Sequence, residues 1–319
     1  MPKQQPKILV IKLGALGDFI QALGPMKAIR AHHPKAHITL LTTAPFESFA
    51  MLSGYCDEIW IDSKPRWFQF SGWVTLKNKF DRRAFDRVYD LQNNDRTRVY
   101  FKLFSVRPEW VGTAPGSSHQ NTSPDRTAGH AFHGHVQTLA LAGITNIQID
   151  KLEWLQANIS SFPVRRPYVL LVPGSAPERL YKRWPVEKYA RIAKVLASWG
   201  YQPVVIGSVS ERGLATDILK ISPAALDLTG QTSLAQIAVL ARTAAAAIGN
   251  DTGPMHLIAA TGCPCLALFS KESNPMRHAP KGDHVVVLQS ENITNLKTEK
   301  VLQLFKPREE PPRPSTSVH

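Results

Sequence analysis

Two apolar runs decide the architecture. KILVIKL (7–13) and PYVLLV (167–172) are apolar at nearly every position, and each ends in a glycine turn, GALGD (14–18) or PGS (173–175). A strand without polar alternation is buried on both faces, which is the condition of a parallel sheet covered by helices. The pattern continues after each run. HITLLTT (37–43), DEIWID (57–62) and DRVYDLQ (86–92) read as further strands in the first half, with helical stretches between them, the first an amphipathic helix over 19–31. In the second half QPVVIGS (202–208), ALDLTG (225–230), AAAAIGN (244–250) and HVVVLQS (284–290) read as strands. Helices are expected over 185–200, 211–221, 233–244 and 295–306, the first with Pro185 near its start and Gly200 at its end. Such alternation predicts an α/β fold class: two Rossmann-like, doubly wound domains facing an interdomain cleft. The polar, Pro-containing NISSFPVRRP (158–167) marks the boundary. The expected division is 1–160, 161–306 and a disordered Pro-rich tail, 307–319.

Composition narrows the partners. The net charge of +13 favours an anionic one: nucleic acid, an anionic membrane surface or a phosphorylated substrate. Part of the excess lies in SKPRWFQFSGWVTLKNKFDRRAFDR (63–87), where Lys and Arg alternate with Trp and Phe; a solvated basic face is the plainer account of it. Three cysteines in 319 residues point to a reducing compartment, with Cys263 and Cys265 read as small apolar residues of a buried strand. The start lacks the apolar core of a signal peptide, and no apolar run reaches membrane-spanning length, so a cytosolic protein is expected.

In open α/β sheets ligands bind at the carboxyl ends of the strands, so four strand-to-helix turns carry the candidates. In KLGALGDFIQ (12–21), Asp18 and Gln21 have capping-box spacing, and capping is the simpler account of Asp18. The functional account is a carboxylate at a strand's end, able to take a proton from a hydroxyl. The turn is not G-x-G-x-x-G, which disfavours a nicotinamide dinucleotide. In VPGSAPERLYKRWP (172–185), Ser175, Arg179, Lys182 and Arg183 are either a basic surface loop or a diphosphate site. In VIGSVSERGL (205–214), Ser208 or Ser210 caps the next helix, and Glu211 either supports that cap or accepts from ribose hydroxyls. In GNDTGPMH (249–256), Asp251 or Thr252 caps a helix with Pro254 in its first turn, whose bare N–H groups also suit a phosphate. His256 is either structural or a ligand contact. The sequence has no D-x-D pair, P-loop or G-x-S-x-G elbow. The histidines of HAFHGH (130–135) read as a loop or helix start, with metal binding the weaker account.

Taken together, GALGDFIQALGPMKAIRAHHP with ITLLT, KRWPVEKYARIAKVL, GQTSLAQIAVLARTA and GNDTGPMHLIAATGCP, in this order, resemble the ADP-heptose:lipopolysaccharide heptosyltransferases, glycosyltransferase family 9. The resemblance spans about 7–290. It implies a GT-B fold, with the acceptor mainly on the first domain and the nucleotide sugar mainly on the second. It also implies inverting, metal-independent transfer that uses no cofactor. Asp18 matches the family's catalytic base. Lys182 and Ser175 match donor-phosphate contacts, Glu211 the ribose contact, and Thr232 the adenine-side loop. Asp251, Thr252, Gly253 and His256 match the donor-binding turn. Two departures stand out: SKESNP (270–275), where relatives often have an uncharged GPT-x-P turn, and an Arg missing from HGHVQTLAL (133–141).

The expected protein transfers heptose from ADP-heptose to a lipid-linked, phosphorylated lipopolysaccharide core acceptor. It is cytoplasmic and peripheral to the anionic inner membrane, and needs no nucleic acid or metal. The alternatives are another nucleotide sugar, an epimerase of the same fold, or a silent nucleic-acid-binding protein.

Overall fold

The computed structural model describes residues 5–308, in two units divided between Asp150 and Lys151. The tail expected over 307–319 lies, from residue 309 onward, outside the described residues.

The first unit holds β1 (Lys7–Ile11), β2 (His37–Thr42), β3 (Glu58–Ile61), β4 (Arg87–Asp90), β5 (Glu109–Gly112) and β6 (His119–Gln120). They form one parallel sheet in the order β3-β2-β1-β4-β5-β6. The second unit holds β7 (Tyr168–Val172), β8 (Gln202–Val205), β9 (Leu226–Asp227), β10 (Ala246–Asn250), β11 (Cys265–Ser270) and β12 (Val285–Ser290). Its parallel order is β12-β11-β10-β7-β8-β9. Counted from its own first strand, each sheet runs 3-2-1-4-5-6, the doubly wound order, and reverses direction between its first and fourth strands. The predicted α/β class with two Rossmann-like units is therefore the observed one.

Apolar burial explains both cores. In the first unit Phe80 stacks on Phe104 with ring centroids 4.6 Å apart, beside Phe101 and Trp110. In the second, fully buried Trp184 and Tyr189 meet edge to face at 5.1 Å, and the indole donates to Leu296 O at 3.0 Å, so its polar end is satisfied. Cys263 and Cys265 are both buried, and burial pushes the Cys265 thiol well up.

Three local expectations need correction. The first helix spans Leu16–His32 rather than 19–31, and it is not amphipathic. Phe19–Met26 are buried without interruption, with Phe19 stacked on Phe46 and edge-on to Phe49 and the helix packed along the helix Ala131–Ala140, so no face of this stretch is left for polar residues. Strands β5 and β6 lack the apolar runs that announce the others, and EWVG and HQ carry no such signal. The last helix is short, Thr298–Leu304, and follows a separate 3₁₀ turn at Ile293–Asn295.

Candidate functional site

The switch point of the first sheet lies where β1 and β4 end side by side, Ile11 opposite Asp90. Lys12 follows β1. It is buried, and its Nζ donates to Leu91 O at 3.2 Å. Burial lowers its pKa, while the charges of Asp18 and Asp90 pull the other way. Asp90 is also buried and accepts from Gln92 N at 3.0 Å and Asn93 N at 2.8 Å. Burial nonetheless pushes its carboxyl up to about 6. Gly14, at φ +111°, takes a backbone conformation that few other residues adopt and starts the helix early.

That early start settles one role of Asp18. Ala15 occupies the N-cap, which has no side-chain cap hydrogen bond, and Asp18 stands in the helix's first turn, half-buried. The capping box expected from Asp18 and Gln21 does not form, because the helix begins ahead of Asp18 rather than after it. Among the described residues no hydrogen bond or ion pair engages the Asp18 carboxylate. Its charge sits where the helix N-terminus favours an anion.

The second sheet's switch point, between β7 and β10, is built differently. Asn250 ends β10 fully buried, with all of its amide positions occupied. Its Oδ1 accepts from Trp184 N at 3.1 Å and Tyr189 OH at 3.0 Å. Its Nδ2 donates to Pro173 O at 2.7 Å and Gly174 O at 3.3 Å. One side chain thus ties the end of β10 to the turn after β7.

Around this brace the predicted donor residues gather. A 3₁₀ segment, Pro177–Lys182, breaks helical geometry at Arg179 and turns Lys182 inward. Buried Lys182 Nζ donates to buried Asp251 Oδ2 at 2.5 Å and to Ser273 Oγ at 3.2 Å, and Ser273 Oγ donates to the same carboxylate oxygen. The cations of this loop do not act as one cluster. Arg183 instead clamps the turn, its Nε donating to Ser175 Oγ at 3.1 Å and its guanidinium to Ser175 O at 2.8 Å, while Ser175 Oγ donates to Arg179 O at 3.0 Å.

Glu211 closes a capping box with Ser208, its Oε2 accepting from Ser208 N at 2.7 Å and Ser208 Oγ at 2.9 Å. Its other oxygen lies so close to Gly174 that a Cβ there would come within 1.6 Å of Oε1. The glycine therefore serves close approach: it brings Glu211 against the turn that carries Ser175. Thr252 is the N-cap of the helix Gly253–Ala260, yet its hydroxyl makes no cap hydrogen bond, and Gly253 opens the helix just ahead of Pro254. His256 is buried on that helix. Thr232 lies in the turn before the helix Leu234–Thr243, its Oγ1 buried without a hydrogen-bond partner, and no bond joins it to the other candidates. Of the predicted donor set, Lys182 and Asp251 are bonded, Thr252 and Gly253 follow Asp251 in the chain, Ser175 is held by Arg183, the residue after Lys182, and Glu211 lies against Gly174, beside Ser175.

Sequence reasoning missed Lys12, Asp90, Asn250 and Ser273. Asn250 had a signal, an amide ending an otherwise apolar strand; Ser273 had only its place in the departing turn SKESNP. The His130–His135 run opens the helix Ala131–Ala140, with His130 Nδ1 accepting from Phe132 N at 3.1 Å.

Known proteins resemble the chain along most of its length. It is 28% identical over 297 residues to lipopolysaccharide heptosyltransferase 2 of Escherichia coli (strain K12), covering 84% of this chain and 83% of that one. Two solved structures share its fold: the glycosyl transferase family 9 protein of Veillonella parvula, with a TM-score of 0.78 at 22% identity over 95% of this chain and 97% of that one, and E. coli heptosyltransferase WaaC with ADP, with a TM-score of 0.71 at 16% identity over 93% and 98%. The sequence profile of glycosyltransferase family 9 (heptosyltransferase) matches residues 139–307. With more than half of its length matched, the chain belongs to glycosyltransferase family 9 and is a glycosyltransferase.

Proposed function

We propose that the protein transfers heptose from ADP-heptose to a lipopolysaccharide core acceptor with inversion at the anomeric carbon. The observation that carries this reading is the Asp18 carboxylate, which ends a first-sheet switch point, caps no helix and has no bonded partner. Asp18 takes the proton of the acceptor hydroxyl as its oxygen bonds to the anomeric carbon and the bond from that carbon to the ADP oxygen breaks. One displacement inverts the centre. The similarity to heptosyltransferases supports heptose as the group transferred, and the fold shared with a heptosyltransferase solved with ADP supports ADP as the carrier.

The first unit takes the acceptor and the second the donor. The departing diphosphate is stabilised by Lys182 and by the first amides of the helix Gly253–Ala260, which have no intrahelical acceptor. Ser175 and Thr252 supply hydroxyls to the phosphates, Glu211 faces the ribose, and Thr232 and His256 contact the nucleotide and sugar. Asp251 Oδ2 is already taken by Lys182 and Ser273, so the ammonium supplies the positive charge of this turn in the transfer without a metal proposed here.

No described helix is long and apolar enough to cross a membrane. Peripheral attachment at the cytoplasmic face of the inner membrane fits the segment after β3. Trp67 is 81% exposed and Phe70 73%, with Phe68 and Val74 exposed beside them and Lys64 and Arg66 flanking. Sedimentation with phosphatidylglycerol vesicles is expected to fall in a Trp67→Ser/Phe70→Ser variant; equal sedimentation contradicts this attachment.

The donor reading is tested by thermal stabilisation, since a ligand bound only by the folded chain raises its melting temperature. ADP-heptose is expected to raise it and UDP- or GDP-sugars to leave it unchanged. A shift with UDP-sugars alone overturns the donor. The anomeric configuration of the product, read by NMR, tests inversion, and product formed without acceptor would indicate an epimerase.

A further inference from the structure

Strand β11 ends at Ser270, and the chain passes through Lys271 and Glu272, both exposed, to Ser273, which is buried. This is the turn that departs from the family's uncharged pattern. It is fixed from outside the site. Gln289 Nε2 on β12 donates to Ser273 O at 3.1 Å and to Ser270 O at 3.4 Å. Next in the chain, Asn274 accepts from Met276 N at 3.0 Å and so caps the short helix Pro275–His278. The serine's backbone is thus held on both sides before its side chain makes any contact.

Its hydroxyl then closes a ring of three polar groups. Ser273 Oγ accepts from Lys182 Nζ and donates to Asp251 Oδ2, the same oxygen that accepts from Lys182. An ammonium has three N–H donors. Two are directed here, at Asp251 and Ser273, and tetrahedral geometry then fixes the direction of the third. A lysine paired with Asp251 alone would rotate about that one bond, and its remaining N–H groups would have no set direction.

We infer that Ser273 is a positioning residue for a nucleoside diphosphate: its hydroxyl orients the Lys182 ammonium so that the third N–H is presented to a phosphate oxygen beside the start of the helix Gly253–Ala260. The inference rests on the donor-site reading above and adds a residue from a turn to which that reading gives no part. The pre-set geometry matters because a donor group already aligned loses less freedom when the phosphate arrives.

The test is ADP and adenosine affinity, by calorimetry on the full chain, for wild type, Ser273→Ala, Lys182→Ala and the equal-volume pair Ser273→Thr and Ser273→Val. Loss of one charge-assisted hydrogen bond predicts ADP binding about tenfold weaker in the Ala and Val variants. The Thr variant is expected within about twofold of wild type, and adenosine affinity unchanged throughout. Equal ADP affinity in the Thr and Val variants overturns the inference, since the hydroxyl then does nothing. So does a parallel loss of adenosine affinity, which marks a structural defect. If Lys182→Ala weakens ADP and Ser273→Val does not, the positioning role fails while the donor site stands. If the wild-type chain binds no ADP, both fail.

Discussion

The first unit's switch point holds an acid with no direct partner, whereas the second unit's holds a cation that is already neutralised. Both lie at the same place in the same strand order, yet Asp18 is half-buried without a hydrogen bond and Lys182 is buried in contact with Asp251 and Ser273. The roles proposed for the two groups account for the difference. A general base must be ionised and able to accept a proton, so a fixed ion pair would defeat it. A phosphate-binding cation acts best where its surroundings are fixed in advance, and buried it needs a counter-charge until the phosphate arrives. The supporting residues differ in the same sense. In the first unit, buried Lys12 donates to a backbone carbonyl while Asp90 keeps a raised pKa; in the second, Asn250 satisfies four groups at once.

Lys182→Ala is the harshest way to break this contrast. It leaves Asp251 buried beside only a hydroxyl, and breaking a buried pair from one side costs about 3–5 kcal/mol of folding stability. Chemical denaturation of the variant is expected to show that loss, together with loss of ADP binding. A loss below about 1 kcal/mol, the range of an exposed pair, would mean that the second switch point is no more committed than the first.

The first unit predicts a pH effect. Asp90 titrates near 6 when folded, above its unfolded value of 3.8, so the folded chain holds its proton more tightly. The sign follows from linkage: stability from this group is complete below pH 4 and is lost as pH rises through 6. Asp90→Asn removes the effect. Its stability relative to wild type, from urea unfolding, is expected to rise by about 2–3 kcal/mol between pH 4 and pH 7. A flat difference would show that burial of Asp90 carries no such cost.

The smallest effects compare two helix starts within the second unit. Ser233 accepts from Gln236 N in a full capping box, so Ser233→Ala is expected to cost about 1 kcal/mol. Thr252 occupies the N-cap with its hydroxyl uncommitted, so Thr252→Ala is expected to cost less than about 0.5 kcal/mol while weakening ADP binding. Equal stability losses would place Thr252 in the cap rather than in the site.

Much of this was legible in the sequence where the signal was local. The apolar runs at 7–13 and 167–172 announced β1 and β7, and Pro185 announced the helix Val186–Ser198. Other local signals misled. Asp18 and Gln21 have capping spacing, but Gly14 lets the helix start at Leu16 and leaves Asp18 inside it. The site's partnerships were not local at all. Lys182 meets Asp251 69 positions away and Ser273 91 away, and no spacing rule reaches across a sheet to pair them. Asp90 looks like an ordinary strand end until the neighbouring strand is in place, and the partners of Asn250, 61 to 77 positions away, lie beyond any local pattern.

In the proposed reaction Asp18 serves the chemistry and neither the fold nor donor binding. The direct measurement is single-turnover transfer by Asp18→Asn beside wild type, with ADP affinity measured on the same preparations. A general base predicts a rate about 10²–10⁴-fold lower with ADP affinity unchanged. Transfer at the wild-type rate, or ADP affinity that falls in step with the rate, would contradict it.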